Sequence, residues 1–428
     1  MIGIITLQLP PKTPTFELKR MNILIVTQHF PPERGAVRRL FEFARFFAAQ
    51  GHSVSVLTGM PNYPDGIVPE KYRGHFHYYE EIEGVKIHRS WVLPASNRNP
   101  GKRMIGFVTF LITGVINSFR ISEKPDIVLA STPPPVTPLM GWLLSKMRRA
   151  KFVIEVRDLQ PESSEDFGNL KKSLFTRTLK KVMHWSYRRA DQLVAVTEGI
   201  ASGLQNIGIP AEKIATIKSG FSVEFSTSDT NGIRRKFGWE GKYVILRAGT
   251  LGWAHSLETI IEAARRFAQN PDVLFVFVGD GEKRSQLEGM VRDYGLKNVL
   301  FVGSQPLESI PYFLKTSDVL IESIREVPIT RGTFPAKLFE YMASGRPIIY
   351  GSHDSEALRE LDKAGGALSF RTDDPERLYD HIENLRLNPR IGEELGRKYQ
   401  EHALKHHPRE RWARQYLDVL TGTKQSKA

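Results

Sequence analysis

Short apolar runs recur along the chain with helix-patterned polar stretches between them. Ile23 to Val26, Val54 to Thr58, Ile127 to Ala130, Val153 to Val156 and Leu193 to Val196 are continuous and rich in β-branched residues. Such runs suit strands buried on both faces of a parallel sheet, whose connections require crossover helices. One crossover lies between the first two runs: Leu40, Phe43, Ala44 and Phe47 share a helical face, and Gly51 stops the helix as a C-terminal cap does. A second series comprises Val244 to Arg247, Val273 to Val278, Val299 to Val302, Val319 to Ile321 and Pro347 to Tyr350. Helical stretches at Leu257 to Ala268, Arg284 to Tyr294 and Lys337 to Ala343 lie among these runs. Two successive alternating series predict an α/β protein with two doubly wound, Rossmann-like domains facing a central cleft. The expected division is 21–218 and 219–405, joined near Lys218-Ser219-Gly220, with a terminal segment 406–428 carrying Trp412, Tyr416 and Leu417 at helical spacing. Met21 opens the first strand pattern, so residues 1–20 read as a disordered lead or a mis-assigned start.

Composition changes this picture at two points. The chain has no cysteine, which excludes disulfides, cysteine nucleophiles and thiolate metal sites. Its net charge of +13 is uneven: residues 21–218 hold 27 Lys and Arg against 17 Asp and Glu, while the remainder is nearly balanced. A basic first half implies an anionic surface as its partner. Lys171 to Ala190 concentrates this charge; as a helix it sets Phe175, Leu179, Val182 and Met183 opposite Arg177, Lys180, Lys181 and Arg188. The apolar run Met104 to Ile116, flanked by Arg98, Lys102 and Arg103, is either a buried helix or a segment lying in a membrane surface. A spanning helix needs about 20 apolar residues, so no transmembrane segment is expected. No signal peptide is legible in the first 20 residues. The expected location is the cytoplasm, peripheral on the inner face of the plasma membrane. Nothing resembles a nucleic-acid recognition module.

Ligands of open parallel sheets sit beyond the carboxyl ends of the strands, so the loops after strands are informative. In the segment from Gly332 to Pro347, Pro335 suits the first turn of a helix. The amides of Ala336, Lys337 and Leu338 would then face outward as a diphosphate site, with Lys337 adding a cation for the leaving group. Glu340, one turn on, can accept hydrogen bonds from a ribose diol. Gly249-Thr250-Leu251-Gly252 follows a strand and permits close backbone approach to a ligand, with Ser256 placed to cap the next helix. Gly279-Asp280-Gly281 reads as a turn. Arg157 and Asp158 follow the Ile154 strand, where the carboxylate could accept from a hydroxyl and the guanidinium could stabilise negative charge; an internal pair fixing the loop is the plainer alternative. Arg331 and Glu326 are equally readable as rim charges. No Asp-x-Asp pair follows a strand, so no metal or other cofactor is expected. A nicotinamide dehydrogenase is disfavoured because Gly-x-Gly-x-x-Gly is missing after the first strand.

Taken with Pro31-Pro-Glu-Arg-Gly-Ala-Val37, Gly51-His-Ser-Val-Ser-Val56, Arg157-Asp-Leu-Gln-Pro-Glu-Ser163, Val196-Thr-Glu-Gly199, Val278-Gly-Asp-Gly281 and Phe301-Val-Gly303, the Gly332 to Pro347 segment resembles family-4 retaining glycosyltransferases of the GT-B superfamily. Within it, the chain is most similar to the bacterial subgroup of fucosaminyl-transferase-like enzymes that build O-antigen and exopolysaccharide. The resemblance runs from Met21 almost to the end, and it implies a terminal helix crossing back onto the first domain. It implies catalytic roles for Arg157, Asp158 and Lys337. Implied donor contacts fall at Gly35, Gly249, Thr250, His255, Gly303, Ser304, Arg331, Thr333, Phe334, Ala336, Lys337, Leu338 and Glu340, with Gly303-Ser304 meeting the nucleobase. Glu340 matches the second of the family's two glutamates spaced by seven residues. The first falls at Gly332 and is missing, as are the family's Arg and Lys, which fall near Thr250 and His255.

The function this implies is metal-independent, retaining transfer of a sugar from a nucleotide diphosphate, here a UDP-linked N-acetylated or deoxy sugar. The acceptor is expected to be lipid-linked or a saccharide. A non-catalytic UDP-sugar-binding subunit and a nucleotide-sugar epimerase on the same architecture are the alternatives.

Overall fold

The structure is a computed structural model describing residues 20–33, 37–96, 99–159, 162, 166, 173–222, 230–352 and 354–422. Its first part runs β1 (Asn22–Val26), α1 (Val37–Ala49), β2 (Ser53–Gly59), β3 (His77–Ile82), β4 (Val85–Ser90), α2 (Pro100–Ser118), β5 (Ile127–Ser131) and α3 (Val136–Arg148). It continues with β6 (Lys151–Val156), α4 (Leu174–Arg189), β7 (Gln192–Ala195), α5 (Glu198–Asn206) and β8 (Ile214–Thr216). The second part begins with α6 (Thr230–Phe237), β9 (Tyr243–Ala248), α7 (Glu258–Arg266), β10 (Val273–Val278), α8 (Arg284–Asp293), β11 (Val299–Gly303) and α9 (Ile310–Thr316). It ends with β12 (Val319–Ser323), α10 (Lys337–Ser344), β13 (Ile348–Gly351), α11 (Glu356–Lys363), β14 (Leu368–Phe370), α12 (Pro375–Leu387), α13 (Pro389–His406) and α14 (Arg409–Thr421).

Among the described residues the strands form two sheets, ordered β3-β4-β2-β1-β5-β6-β7-β8 and β11-β10-β9-β12-β13-β14. Strand order reverses between β1 and β5 in the first sheet and between β9 and β12 in the second. Loops leaving neighbouring strands there diverge to opposite faces and open a crevice. The one antiparallel pairing among the described residues, β3 with β4, is absent from the apolar pattern because β3, His-Tyr-Tyr-Glu-Glu-Ile, is largely polar. Its two-residue turn has Glu83 at φ 50° and Gly84 at φ 78°, the left-handed pair that matches strand twist. β8 and β14, three residues each, are too short to leave a periodicity.

Apolar side chains of the first sheet pack on one face under α2, α3 and α4, and on the other under α1 and α14. The last helix thus lies on the sheet that begins the chain. Ala413, Tyr416, Leu417 and Leu420 of α14 are buried beside Phe43 and Phe47, and the Tyr416 ring meets both edge-on at 5.5 and 5.7 Å. The two chain crossings run together where Phe221 and Pro408 form a parallel bridge. Arg409 fastens them: its guanidinium donates to the carbonyls of Gly220 (2.9 Å) and Ser219 (3.0 Å) and pairs with Glu42 of α1 (2.6 Å). Nearby, Glu360 accepts from His402 and His407, each at 2.8 Å, and pairs with Lys218 at 3.0 Å. No helix among the described residues is long and apolar enough to cross a membrane.

Deleting a buried aromatic from such a site costs about 3–5 kcal/mol. Tyr416→Ala should therefore lower unfolding free energy by roughly 3 kcal/mol in urea melts, and the loss should register in the first domain through Phe43 and Phe47. A change below about 1 kcal/mol would show that α14 contributes little to that core.

Candidate active site

The second domain's half of the site is built on its switch point. β9 and β12 pair in parallel, Leu320 beside Leu246, so Arg247 and Glu322 emerge next to each other from otherwise apolar strands. Both are buried, and Arg247 Nη2 lies 3.4 Å from Glu322 Oε1. His255 Nδ1 approaches the same oxygen at 2.9 Å, and Lys337 Nζ sits 2.7 Å from Oε2. Burial opposes ionisation of Glu322, but the charges of Arg247 and Lys337 prevail and hold its carboxyl well below the usual range. Burial, reinforced by the Lys337 charge, pushes His255 down to about 4, so the ring is neutral. Burial and the Arg247 charge bring Lys337 down to about 8. One carboxylate against two cations leaves the cluster net positive.

Gly249 makes room for this arrangement. Its φ is 124°, and a Cβ there would lie 2.8 Å from Lys337 Nζ. The Lys337 side chain can therefore lie directly over the end of β9, while Arg247 donates to the Gly249 carbonyl at 2.6 Å. The neighbouring strand ends are laced together by backbone hydrogen bonds. Gly249 donates to Val278 (2.8 Å), Leu251 to Asp280 (2.9 Å) and Gly279 to Gly303 (2.9 Å). Gly279 has φ 137°, and any side chain on it would occupy the space of the Gly249 carbonyl. These loops form one continuous backbone surface, which side chains larger than hydrogen would break.

Glu340, in the first turn of α10, is half-buried, and burial raises its carboxyl. Its nearest charges include Arg38 of α1 and Arg409, so it faces the first domain. No hydrogen bond or ion pair among the described residues reaches that carboxylate.

In the first domain, Glu155 is buried at the end of β6, bound by Arg39 and by Ser131 Oγ at 2.6 Å. Arg157, two residues on, donates from Nε to the Thr132 carbonyl at 2.8 Å, which ties the β6 loop to that of β5. Asp158 remains open to solvent, yet the surrounding protein raises its carboxyl by desolvation. The domains touch where Thr197 Oγ1 donates to the Gly332 carbonyl (2.9 Å) and the Gly199 amide to Glu356 (3.1 Å). Gly199 and Gly332 meet backbone to backbone; a Cβ on Gly332 would fall 2.5 Å from Gly199 Cα.

Residues 34–220 match the family described as a glycosyl transferase 4-like domain, and residues 229–406 match glycosyl transferases group 1. The chain is a family-4 GT-B glycosyltransferase. It is 24% identical over 418 residues, 94% of this chain and 100% of the relative, to WcaI of Escherichia coli (strain K12), named as a glycosyl transferase of colanic acid biosynthesis. It is also 24% identical to the alpha-D-kanosaminyltransferase of Streptomyces kanamyceticus, over 59% of this chain and 66% of that one. Anabaena HepE, crystallised with UDP, superposes with a TM-score of 0.71 at 17% identity, covering 94% of this chain and 100% of HepE. Sucrose-phosphate synthase from Thermosynechococcus elongatus gives 0.74 at 16% identity, with coverage of 94% and 98%. The structural likenesses establish the shared fold.

Within this GT-B glycosyltransferase the expected site residues separate into groups. Lys337, His255 and Gly249 converge around Glu322, and Thr250 is exposed beside them. Ser304 is exposed after β11, while the Gly303 carbonyl is committed to Gly279. Arg331 and Glu326 lie exposed on the loop before α10. Arg157 and Asp158 stand on the opposite sheet, and no contact among the described residues joins them to Lys337. Gly35 lies outside the described residues.

Five expectations need correction. Phe334 is buried and stacks on Phe339 with ring centroids 4.3 Å apart, and Leu338 is fully buried; both side chains belong to the core because an apolar group at the base of α10 packs better than it meets a sugar. Thr333 folds back, its hydroxyl donating to the Ile329 carbonyl at 3.3 Å. α10 starts at Lys337, so Pro335 precedes it and its carbonyl accepts from Leu338 at 2.9 Å; Ala336 and Lys337 supply the amides at the tip. Ser256 does not cap α7, which starts at Glu258 with the core residue Leu257 in the capping position.

Sequence reasoning missed Arg247 and Glu322. The available signal was a single charge inside each of two apolar strand runs, of opposite sign, which burial allows only as a pair. A recess of about 400 Å³ lined by Met60, Ile67, Tyr72, Trp91, Val92 and Pro94 contains none of the expected site residues. Glu360, His402 and His407 bring their ligating atoms within 4.8 Å of one another, but Lys218 and both rings already satisfy the carboxylate, which makes the cluster a hinge fastening.

Removing one member of a buried ion pair leaves the other uncompensated, at a cost of about 3–5 kcal/mol. Glu322→Ala should therefore destabilise the second domain by roughly that amount in denaturant melts. A loss under about 1 kcal/mol would mean Arg247 finds other partners and the carboxylate does not organise the site.

Proposed function

We propose that this glycosyltransferase moves a sugar from a UDP-linked donor, N-acetylated or deoxy, to a lipid-linked or saccharide acceptor in bacterial surface polysaccharide assembly, with retention of anomeric configuration. The observation that carries the proposal is the net positive Lys337–Glu322–Arg247 cluster at the β9/β12 crevice, beside the outward amides of Ala336 and Lys337. A diphosphate is the ligand such a tip accommodates. The colanic acid assignment in the name of WcaI and the UDP held by HepE agree with this choice of product and donor.

In the proposed reaction the bond from the anomeric carbon to the diphosphate oxygen breaks as the acceptor oxygen bonds to the same face. The acceptor proton passes to the departing diphosphate. Lys337 and the helix amides meet the charge that develops on that leaving group, a task that needs no divalent cation. Glu340 accepts from the ribose hydroxyls, and with no hydrogen-bond or ion-pair partner among the described residues both carboxylate oxygens are available. Asp158, whose environment raises its carboxyl, accepts from a sugar hydroxyl across the cleft. The Gly249–Leu251 and Gly303–Ser304 backbone lines the nucleotide path.

Glu340→Ala should abolish transfer and weaken UDP binding by calorimetry without lowering the melting midpoint; an active variant removes the ribose assignment. Proton NMR of the fresh product should show the donor's anomeric configuration, and turnover should survive chelation by EDTA. Sugar turnover without any acceptor would instead indicate an epimerase.

The pH dependence follows from Lys337, which is a cation only below its pKa of about 8. The alkaline limb of kcat/KM, which reports the free enzyme, should therefore fall near pH 8. Loss of the neighbouring carboxylate in Glu322→Gln should move that limb to lower pH. A limb that stays in place would exclude Lys337 as the titrating group.

A further inference from the structure

A separate surface, on the far side of the first sheet from α14, has no part in the transfer chemistry. There α2, α3 and α4 lie side by side over one face of the sheet, α3 in the middle and joined to α4 by the Trp142 and Trp185 rings at 4.8 Å. α2 turns one side inward: Gly106, Phe110, Thr113, Gly114 and Asn117 are buried, Thr113 donates to the Trp91 carbonyl at 2.6 Å, and Gly114 sits against Met140. A helix serving only this core would be polar on its other side.

It is not. Ile105, Val108, Ile112, Ile116 and Phe119 are 50–65% exposed, and their spacing of three or four residues puts them in one line along the helix. That line is about 20 Å long at 1.5 Å per residue. Leu143 and Met147, one turn apart on α3, are also exposed beside it. Single exposed apolar residues are ordinary, whereas a contiguous stripe marks a surface that meets something.

The charge around the stripe identifies the occupant. α2, α3 and α4 contain no acidic residue. Exposed Lys102 and Arg120 bracket the stripe, Lys146 and Arg149 border it at the end of α3, and Arg177, Lys181, Arg188 and Arg189 cover the outside of α4. Like charges in this density would oppose a second copy of the same face, while an apolar line with basic flanks complements a bilayer of anionic lipid. We infer that the α2 stripe inserts into the headgroup boundary of an anionic phospholipid membrane, with the α3 and α4 basic residues resting on the lipid phosphates. This docking surface is independent of the donor and acceptor assignments above.

The native chain has no cysteine, so a single label can be placed without background. Val108→Cys and Ile112→Cys, each carrying an environment-sensitive fluorophore, should blue-shift on addition of phosphatidylethanolamine vesicles containing phosphatidylglycerol, and should do so far less with phosphatidylcholine alone. Leu404→Cys, exposed on α13, is the control and should stay unshifted. In co-sedimentation the unlabelled Ile105→Ser/Ile112→Ser chain should bind the anionic vesicles at least about tenfold more weakly, and raising salt should weaken the wild type. Both serine positions are exposed, and a matching melting midpoint confirms the fold. Labels that remain in water, or vesicle binding that survives the double substitution, overturn the inference. So does a vesicle-independent dimer, detected by sedimentation velocity and abolished by the same substitutions, because the stripe would then be a contact between copies.

Discussion

The carboxylate of Glu322 is the group on which the donor side of this molecule turns. It is fully buried at the end of a central strand, where an isolated charge is not tolerated, and it is kept ionised by Arg247 beneath and Lys337 above. Each cation in turn is held where it is useful. Arg247 is pinned against the carbonyl of Gly249, and Lys337 is drawn back over the same glycine instead of extending into solvent. His255, kept neutral, fills the remaining side of the carboxylate without adding charge. The cluster therefore fixes both the sign of the crevice and the course of the loop that borders it. A flexible surface lysine would bring the same charge without the position.

The missing family residues make sense in this setting. Where the resemblance places a lysine, His255 is turned inward to Glu322, and a cation reaches the same carboxylate from the other side, as Lys337 on the helix across the crevice. Where it places a glutamate, Gly332 is pressed against Gly199 of the other domain, and no side chain fits between the two backbones. Closeness of the domains and a glutamate at that position exclude each other in this arrangement. In the reaction proposed above, contact with the donor sugar then falls to other groups, Asp158 and the exposed Thr250 among them.

The two domains are fastened along one edge of their cleft. Arg409, Glu42 and the Gly220 carbonyl bind the two crossing segments together, and Glu360 gathers Lys218, His402 and His407 from the linker and α13. Because α14 is cored into the first sheet, any motion of the second domain must bend the chain at both crossings at once. That restricts the domains to a hinge about this edge, where Lys218 also pairs with Glu356, the carboxylate that accepts from the Gly199 amide.

The two-domain α/β architecture was legible because parallel strands buried on both faces write themselves as continuous apolar runs, such as Ile23 to Val26 and Val273 to Val278. Turn chemistry was legible too: Gly249 and Gly279 after β9 and β10, and Gly303 at the end of β11, take backbone angles that other residues resist. The basic charge of the α4 segment and the apolar length of α2 could also be read from the residues alone. Which side of α2 faces water could not, since its isoleucines are equally suited to core and lipid until their neighbours are placed. Nor could the pairing of Arg247 with Glu322, separated by 75 positions and joined only by the register of β9 against β12. Phe334 looked like a ligand residue from its motif and became core through its stacking on Phe339. Periodicity and local angle are properties of a short segment, so the sequence determines them. Burial and ion pairing depend on which segments become neighbours, and only the tertiary structure decides that.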